Sequence, residues 1–296
     1  MKRAIIHLHI AVFLAGFTGV LGRRISLDAS LLVWYRLLIT VITLPVLFIG
    51  NGYFPKVSSN QLLKIFGVGA IVALHWVSFY SSIKHSNISI ALVCFSTLGF
   101  FSSILEPVLL NKRIAIIEVL LGTLAMVGVY LIFHFDTRYE TGIIYGIVSA
   151  ILAALFTVLN KSLLKKNDAK TVTFYELTGG FLILSIILPA YLQIVSVPFS
   201  LPVGWDWFWL LVLSWLCTVL AFYLSISALK KVSPFTVNLS YNLEPVYGII
   251  LAFVIYQENK NLSSTFYFGL FLIISAVSLQ MIRMYDIHKR QSLQSV

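Results

Sequence analysis

The sequence predicts an all-α integral membrane protein with ten transmembrane helices arranged as two inverted five-helix repeats. Hydrophobic residues make up 59% of the 296 residues and charged residues only 11%, with a mean hydropathy of +0.94, unlike a soluble domain. A bilayer core about 30 Å thick requires roughly 20 apolar residues per helix. Ten such windows occur, near residues 5–22, 29–49, 64–83, 88–110, 115–133, 141–161, 171–194, 206–229, 235–256 and 264–284.

The first window follows a basic start, and a basic start before an apolar stretch is also typical of secretory signal peptides. Lys2 and Arg3 provide that start, but no small-residue cleavage site precedes Arg23 and Arg24, and further windows follow. We therefore expect a retained helix. The later windows are separated by short polar segments such as residues 51–60, which are too short for a soluble catalytic domain.

The basic residues predict the orientation of the helices. Of the 21 Lys and Arg residues, fifteen fall on the side of the N-terminus, five on the opposite side, and Arg36 lies inside a window. Since positively charged loops stay in the cytoplasm, we expect a multi-pass protein of the plasma (inner) membrane with both termini cytoplasmic. Topology thus accounts for the net charge of +10. No single basic face is formed, so no nucleic-acid partner is expected.

Internal similarity divides the chain into two halves. Aligning Lys84 with Lys230, 146 residues later, superimposes two helical windows and sets Gly99 against Pro245. Because each half crosses the membrane five times, the second half starts from the opposite side, as in many secondary transporters. The predicted divisions are a first repeat over residues 1–134, a second repeat over 135–286, and a cytoplasmic tail over 287–296.

Two shorter comparisons concern charged residues. The segment Trp34–Arg36 is similar to Phe174–Glu176, so Arg36 and Glu176 are predicted to take matching positions near a membrane surface. The segment Leu105–Val108 is also similar to Leu243–Val246, but that match would set a residue near a helix end against one at mid-membrane. We treat it as chance, and expect Glu106 to lie at the interface beside Lys112 or Arg113.

Several segments carry a resemblance to a known family. The turns Ser82–Ser86 and Ala228–Pro234 look like a small–apolar–Lys turn, Asn242–Val246 is similar to a polar-x-x-Pro segment, and Gln257-Glu258 looks like the acidic turn that follows it. Together they resemble the drug/metabolite transporter superfamily, specifically its ten-helix members with two EamA-type repeats. The first repeat departs from the pattern at Gly99 and Lys112. The resemblance implies transport of a small solute and favours export.

Polar residues within the apolar windows are the candidates for a binding site. Asn238, Tyr241, Asn242 and Pro245 follow i, i+3, i+4, i+7 spacing, which places them on one helix face. Pro245 also breaks the helix by removing a backbone donor. Either Asn238 and Asn242 bond to neighbouring helices, or their face lines a water-containing cavity. Both interpretations remain open.

The third window of each half carries a mixed polar and aromatic stripe. His75 and Phe79 belong to the first stripe, and Trp215, Thr218 and Phe222 to the second. Aromatic walls with a few polar groups suit a small amphipathic organic molecule rather than a bare ion. His75 is equally consistent with a hydrogen-bonded core histidine. Since no acid stands at metal-ligand spacing, no metal site is predicted.

Two deep charges complete the candidate set. Ionisable residues within membrane helices are costly and are functional candidates by default. Glu244 is about ten residues from either end of its window, and fits three roles: a protonatable coupling site, a partner for a substrate amine, or a structural partner for Arg36. Arg36 lies closer to a helix end and could instead extend its charge to the interface.

These observations favour a secondary transporter that exports a small amphipathic metabolite, such as an amino acid, by alternating access around a mid-membrane cavity. An alternative is an uptake permease of the same fold for sugar or nucleotide conjugates, and a remote alternative is an intramembrane enzyme. No Gly-x-Ser-x-Gly or His-Glu-x-x-His motif occurs, so we expect no enzyme activity. We expect no cofactor. The expected partners are the lipid bilayer and a small solute, with protons left open as a coupling ion.

Overall fold

The computed structural model describes residues 2–49, 52, 56–135, 137–241 and 243–294. Within these ranges the chain is helical and contains no β-strand, which confirms the all-α membrane class. The α-helices are α1 (Lys2–Gly16), α2 (Thr18–Arg24), α3 (Ala29–Ile49), α4 (Ser59–His85), α5 (Ile88–Phe95), α6 (Leu98–Leu110), α7 (Ile116–Phe135), α8 (Glu140–Leu163), α9 (Ala169–Ile194), α10 (Asp206–Ser214), α11 (Ala221–Leu229), α12 (Pro234–Tyr241), α13 (Glu244–Tyr256) and α14 (Ser264–Gln294).

The apolar helices account for the predicted windows. Among the described residues, seven helical stretches are long and apolar enough to cross a membrane, and they coincide with windows one to four and six to eight. Shorter apolar helices over Ile116–Ile132, Glu244–Tyr256 and Ser264–Ala276 fall within the other three windows. Large apolar side chains such as Leu63, Ile186 and Val254 point outward. A surface of this kind suits lipid, where helices satisfy their own backbone hydrogen bonds.

Two windows are interrupted at matching places. The first is divided into α5 and α6, the second into α12 and α13, and each boundary in the second pair lies 146 residues after its counterpart. Both pairs end on a residue with left-handed backbone, Asn111 (φ 52°) and Gln257 (φ 54°). The helix boundaries therefore follow the offset inferred from the sequence. The structure also supports rejecting the match of Leu105–Val108 to Leu243–Val246, since Glu106 pairs with Lys112 at 2.7 Å near the end of α6 while Glu244 begins α13.

The interruptions have identifiable local causes. The Ser96 hydroxyl donates to the Val93 carbonyl and the Thr97 hydroxyl to the Cys94 carbonyl, at 2.5 and 2.7 Å, so side chains bond to the backbone at the end of α5. In the second half, Pro245 lies in the first turn of α13, where the absence of a backbone N–H is tolerated. Two further irregularities separate α1 from α2 at Phe17 and replace an α-helical turn by a π-helical one over Trp215–Leu220.

Charged contacts join the two halves at one end of the bundle. Arg23 forms a salt bridge with Glu258. Glu258 also accepts hydrogen bonds from the backbone N–H groups of Ile88 and Ser89 at 3.1 and 2.9 Å, and from the Ser89 hydroxyl at 2.6 Å. A carboxylate at the start of α5 complements the positive end of the helix dipole. We call Arg23, Glu258, Ile88 and Ser89 the clasp.

Candidate solute-binding cavity

A cavity lies where the interrupted helices meet. Its volume is about 80 Å³, counted as the space open to the centre of a water molecule, which is room for several waters. Irregular backbone is tolerated within a membrane where it is buried in protein or lines a cavity. The lining includes residues on both sides of each break, namely Ala15 and Thr18, Phe95 and Leu98, and Tyr241 and Glu244.

Arg36 is the most constrained charge of the cavity. Its side chain is fully buried, with 2% exposure, and Nε donates to the Thr218 hydroxyl at 2.5 Å. Nη1 donates to the Tyr80 hydroxyl at 3.0 Å and Nη2 to the Cys217 carbonyl at 3.2 Å. The guanidinium also lies over the Trp76 ring, 3.8 Å from its centroid, in a cation–π arrangement. Arg36 therefore points inward, and does not extend to the interface.

Glu244 lies in the same cavity without bonding to Arg36. Its carboxyl lies near the Thr18 hydroxyl, which itself donates to the Ala15 carbonyl at 2.7 Å, and near enough to Arg36 to be attracted by its positive charge. The three hydrogen bonds of the Arg36 guanidinium go to Thr218, Tyr80 and Cys217 and not to Glu244. The direct structural pair considered from the sequence is thus not formed, and the cavity holds one positive and one negative side chain that remain apart.

His75 fits both interpretations made from the sequence, because it is hydrogen-bonded to a neighbouring helix and also lines the cavity. Its Nδ1 lies 2.9 Å from both the carbonyl and the hydroxyl oxygen of Ser149, which anchors α4 to α8. The ring also lines the cavity, packed near Phe79, Phe95 and Phe156. Since Nδ1 is engaged with Ser149, Nε2 is the ring nitrogen without a hydrogen-bond partner among the described residues.

Comparisons with known proteins agree with this architecture. The model of the EamA-like transporter family matches residues 2–134 and again residues 140–282. The chain belongs to the EamA-like transporter family. This confirms the resemblance to the drug/metabolite transporter superfamily, and the protein is therefore a multi-pass membrane transporter.

Individual relatives of this EamA protein are also transporters by name. The uncharacterized transporter YxxF of Bacillus subtilis (strain 168) is 21% identical over 95% of this chain and 90% of its own length. The uncharacterized transporter YetK of the same organism is 27% identical over 86% of this chain and 80% of its length. One crystal structure of a protein matches with a TM-score of 0.67 at 16% identity, over 97% of this chain and 99% of the other, which shows the fold alone.

Most of the predicted cavity residues of this EamA protein do come together. His75, Phe79, Phe222, Asn238 and Tyr241 line the cavity. Asn238 also donates to the Ser102 hydroxyl at 3.1 Å, so it connects two helices and faces the cavity at once. Tyr241 has Ser225 as its hydrogen-bonding neighbour. Asn242 lies outside the described residues.

Two predicted residues are placed elsewhere. Trp215 is 49% exposed and its Nε1 donates to Thr43 on the outer face of the bundle. Thr218 lies behind Arg36, as its hydrogen-bond acceptor, rather than on the cavity wall. The reason is the π-helical turn Trp215–Leu220. Its extra residue rotates positions that a regular helix would keep on one face.

Several residues that line the cavity were not predicted from the sequence. Thr18, Tyr80, Phe156 and Thr157 all face the cavity. Three of these four positions could have been suspected only in part from the sequence. Thr18, Phe156 and Thr157 belong to a Phe-Thr dipeptide that occurs at Phe17-Thr18 and at Phe156-Thr157, in the first helix of each half. Trp76 and Cys217 carried no comparable signal.

Proposed function

We propose that this EamA-family transporter carries a small zwitterionic organic solute, such as an amino acid, out of the cell by alternating access around the cavity. One observation carries the proposal. Arg36 and Glu244 present opposite charges to a single cavity and do not neutralise each other through a direct bond. A solute with a carboxylate and an ammonium group would complement both.

Arg36 is suited to bind the carboxylate. A guanidinium has five N–H donors, and the hydrogen bonds to Thr218, Tyr80 and Cys217 use three of them. Two donors remain on a group whose orientation is fixed by these bonds and by the Trp76 ring. Because the guanidinium is already held in place, little conformational entropy is lost when it binds an anion.

Glu244 is suited to bind the ammonium group. A carboxylate accepts hydrogen bonds at up to four lone-pair positions, and the nearby Thr18 hydroxyl donates its hydrogen to the Ala15 carbonyl instead. The apolar part of the solute would contact rings from four spans of the bundle, which favour burial of an amphipathic molecule. These rings belong to Trp76, Phe79, Phe95, Phe156 and Phe222.

Uptake of nucleotide conjugates is less well supported. Such solutes carry two or more negative charges and are usually met by several basic side chains. Among the described residues that line the cavity, Arg36 is the one Lys or Arg. The transporter names of the relatives also favour a carrier over an intramembrane enzyme.

Alternating access requires a contact that closes one side of the cavity and that can be broken. We propose that the clasp closes the cavity toward the side opposite the termini, and that this side is extracellular. The clasp suits that role because it connects α2 and the start of α5, both from the first half, to the turn after α13 in the second half. The export direction rests on the family resemblance, and the assignment of the clasp to the extracellular side rests on the positive-inside orientation.

Transport by purified protein in liposomes tests the proposal. Vesicles loaded with a neutral amino acid should exchange it for external labelled amino acid, and the corresponding amine and carboxylic acid should compete less well than the zwitterion. Equal competition by all three, or exchange no faster than in protein-free vesicles, would contradict the proposal. Export is tested in intact cells, where expression should lower the internal amino-acid concentration after preloading.

A further inference from the structure

A second buried carboxyl group lies outside the cavity. Glu176 on α9 and Asn160 on α8 are each 0% exposed, and Asn160 Nδ2 donates to Glu176 Oε1 at 2.8 Å. Neither residue lines the cavity. The sequence predicted Glu176 near a membrane surface, whereas the structure encloses it between helices. The proposed solute site does not use this pair.

No described cation compensates Glu176. Burial and the Asn160 amide are the influences on its carboxyl, with no charged neighbour among them. The helices packed against α9 include α3, α4 and α11, and α8 is joined to α9 by the hydrogen bond from Asn160. The charged and titratable groups of these four helices are engaged elsewhere or exposed. Arg36 bonds Thr218, His75 bonds Ser149, Lys161 bonds the Leu229 and Val232 carbonyls, Lys64 is exposed, and the Tyr223 ring packs near Phe48.

The pair leaves two acceptors unsatisfied. Glu176 Oε2 and Asn160 Oδ1 are both buried, and neither has a hydrogen-bond partner among the described residues. If the carboxyl group is ionised, both atoms are acceptors and neither can satisfy the other. If Oε2 carries a proton it becomes a donor. A neutral carboxylic acid and a primary amide then share two hydrogen bonds, Nδ2–H to Oε1 and Oε2–H to Oδ1, and both unpaired atoms are accounted for.

We propose that Glu176 and Asn160 form an occluded proton-binding site, in which the Glu176 Oε2–H group donates to Asn160 Oδ1. The site lies where α4, α8 and α9 meet, because Gly69 on α4 packs directly on the Glu176 carbonyl. Releasing the proton would set a carboxylate against an amide oxygen and weaken the side-chain link between Asn160 on α8 and Glu176 on α9. Proton release is therefore linked to breaking of this connection between α8 and α9. The consequence for transport rests on the proposed function, but the site itself does not.

Infrared spectroscopy of the purified protein tests the site directly. At neutral pH the wild-type protein should show a protonated-carboxyl C=O band that Glu176→Gln removes. Glu176→Gln should still fold, since its amide N–H can donate to Asn160 Oδ1 as the acid does. Glu118→Gln is the matched control, because Glu118 is paired with Arg283 at 3.4 Å and should contribute no acid band. An unchanged acid band in Glu176→Gln would overturn the proposal.

Two further measurements separate the possible outcomes. Asn160→Leu should keep the acid band but shift its frequency, because the hydrogen bond to Oδ1 is lost; no shift would contradict the paired geometry. Spectra in sodium and in potassium buffers should agree, and an acid band abolished by sodium would indicate a metal-cation site instead. In liposomes, Glu176→Gln should retain amino-acid exchange but lose accumulation driven by a pH gradient. Absence of exchange in the wild type would count against the proposed function, not against the site.

Discussion

The Thr218 hydroxyl connects Arg36 to the π-helical turn Trp215–Leu220, which lies between α10 and α11. It accepts a hydrogen bond from Arg36 Nε at 2.5 Å and donates to the Leu213 carbonyl, five residues earlier, at 2.8 Å. The Ser214 hydroxyl donates to the Arg36 carbonyl at 3.1 Å. Ser214 at the end of α10 thus holds the backbone of Arg36, while Thr218 in the π-helical turn and Tyr80 and Trp76 on α4 orient its side chain inside the bundle.

Removing the Thr218 hydroxyl should weaken the Arg36 site. Thr218→Val keeps the side-chain shape but leaves Arg36 Nε without its acceptor, and a hydrogen bond to a charged group contributes about 1.5–3 kcal/mol. We expect a lower thermal-unfolding midpoint and a higher KM for the solute. The control is Thr178→Val, which removes only a bond to the Phe174 carbonyl. Equal behaviour of both variants would show that Thr218 does not support Arg36.

Gly69 and Gly67 offer a matched pair on α4. A Cβ on Gly69 would overlap the Glu176 carbonyl oxygen and lie 2.7 Å from the Gly180 nitrogen, whereas a Cβ on Gly67 would meet nothing within 4 Å. Gly69→Ala should force α4 away from α9 and lower both stability and yield of folded protein. Gly67→Ala should be neutral or stabilising by up to about 1 kcal/mol, since alanine is the better helix former. Thermal unfolding in detergent compares them, and a stable Gly69→Ala protein would refute the close helix contact.

Breaking the clasp should expose the cavity. Cys217 lines the cavity and Cys94 is buried elsewhere, so Cys94→Ala leaves Cys217 as a single reporter thiol. In this background Glu258→Gln should raise the rate of labelling by a membrane-impermeant maleimide. About fivefold is expected if the salt bridge contributes about 1 kcal/mol.

The labelling experiment has its own control. Glu118→Gln removes a different ion pair, with Arg283, and should leave the labelling of Cys217 unchanged. If Glu258→Gln labels no faster than its parent, the clasp does not close the cavity.

The left-handed residue that ends α13 should tolerate glycine. Gln257 has φ 54°, a conformation that costs an ordinary residue about 1 kcal/mol or more and glycine much less. Gln257→Gly should therefore be neutral or slightly stabilising, while the β-branched Gln257→Val should be destabilising. At Lys230, where the backbone is right-handed, glycine should instead destabilise. Unfolding midpoints that fail to separate the two glycine variants would contradict the assigned backbone.

The spans were predictable because hydrocarbon imposes a simple rule on sequence. A helix that crosses the bilayer needs an apolar stretch of fixed length, so the predicted windows 88–110 and 206–229 match Ile88–Leu110 and Asp206–Leu229. The 146-residue offset was also readable, because equivalent turns keep equivalent residues. The division into two repeats remains a prediction that the two family matches and the helix boundaries support.

The cavity was only partly predictable because helix irregularities are not visible in a periodic pattern. A regular helix would keep Trp215 near Thr218, but the π-helical turn separates them. The burial of Arg36 depends on partners from α4 and the eighth span, which no local pattern specifies. Glu176 was placed near a surface for the same reason, since its enclosure depends on Gly69 and Asn160.

In the proposed function, Glu244 binds the ammonium group of the solute while Arg36 binds its carboxylate. This arrangement is tested most directly by competition in the liposome exchange assay, comparing an amino acid with its deaminated acid in wild-type and Glu244→Gln protein. The wild type should prefer the amino acid and Glu244→Gln should lose this preference, because the ammonium group no longer meets a carboxylate. A Glu244→Gln protein that discriminates between the two as strongly as the wild type would contradict it.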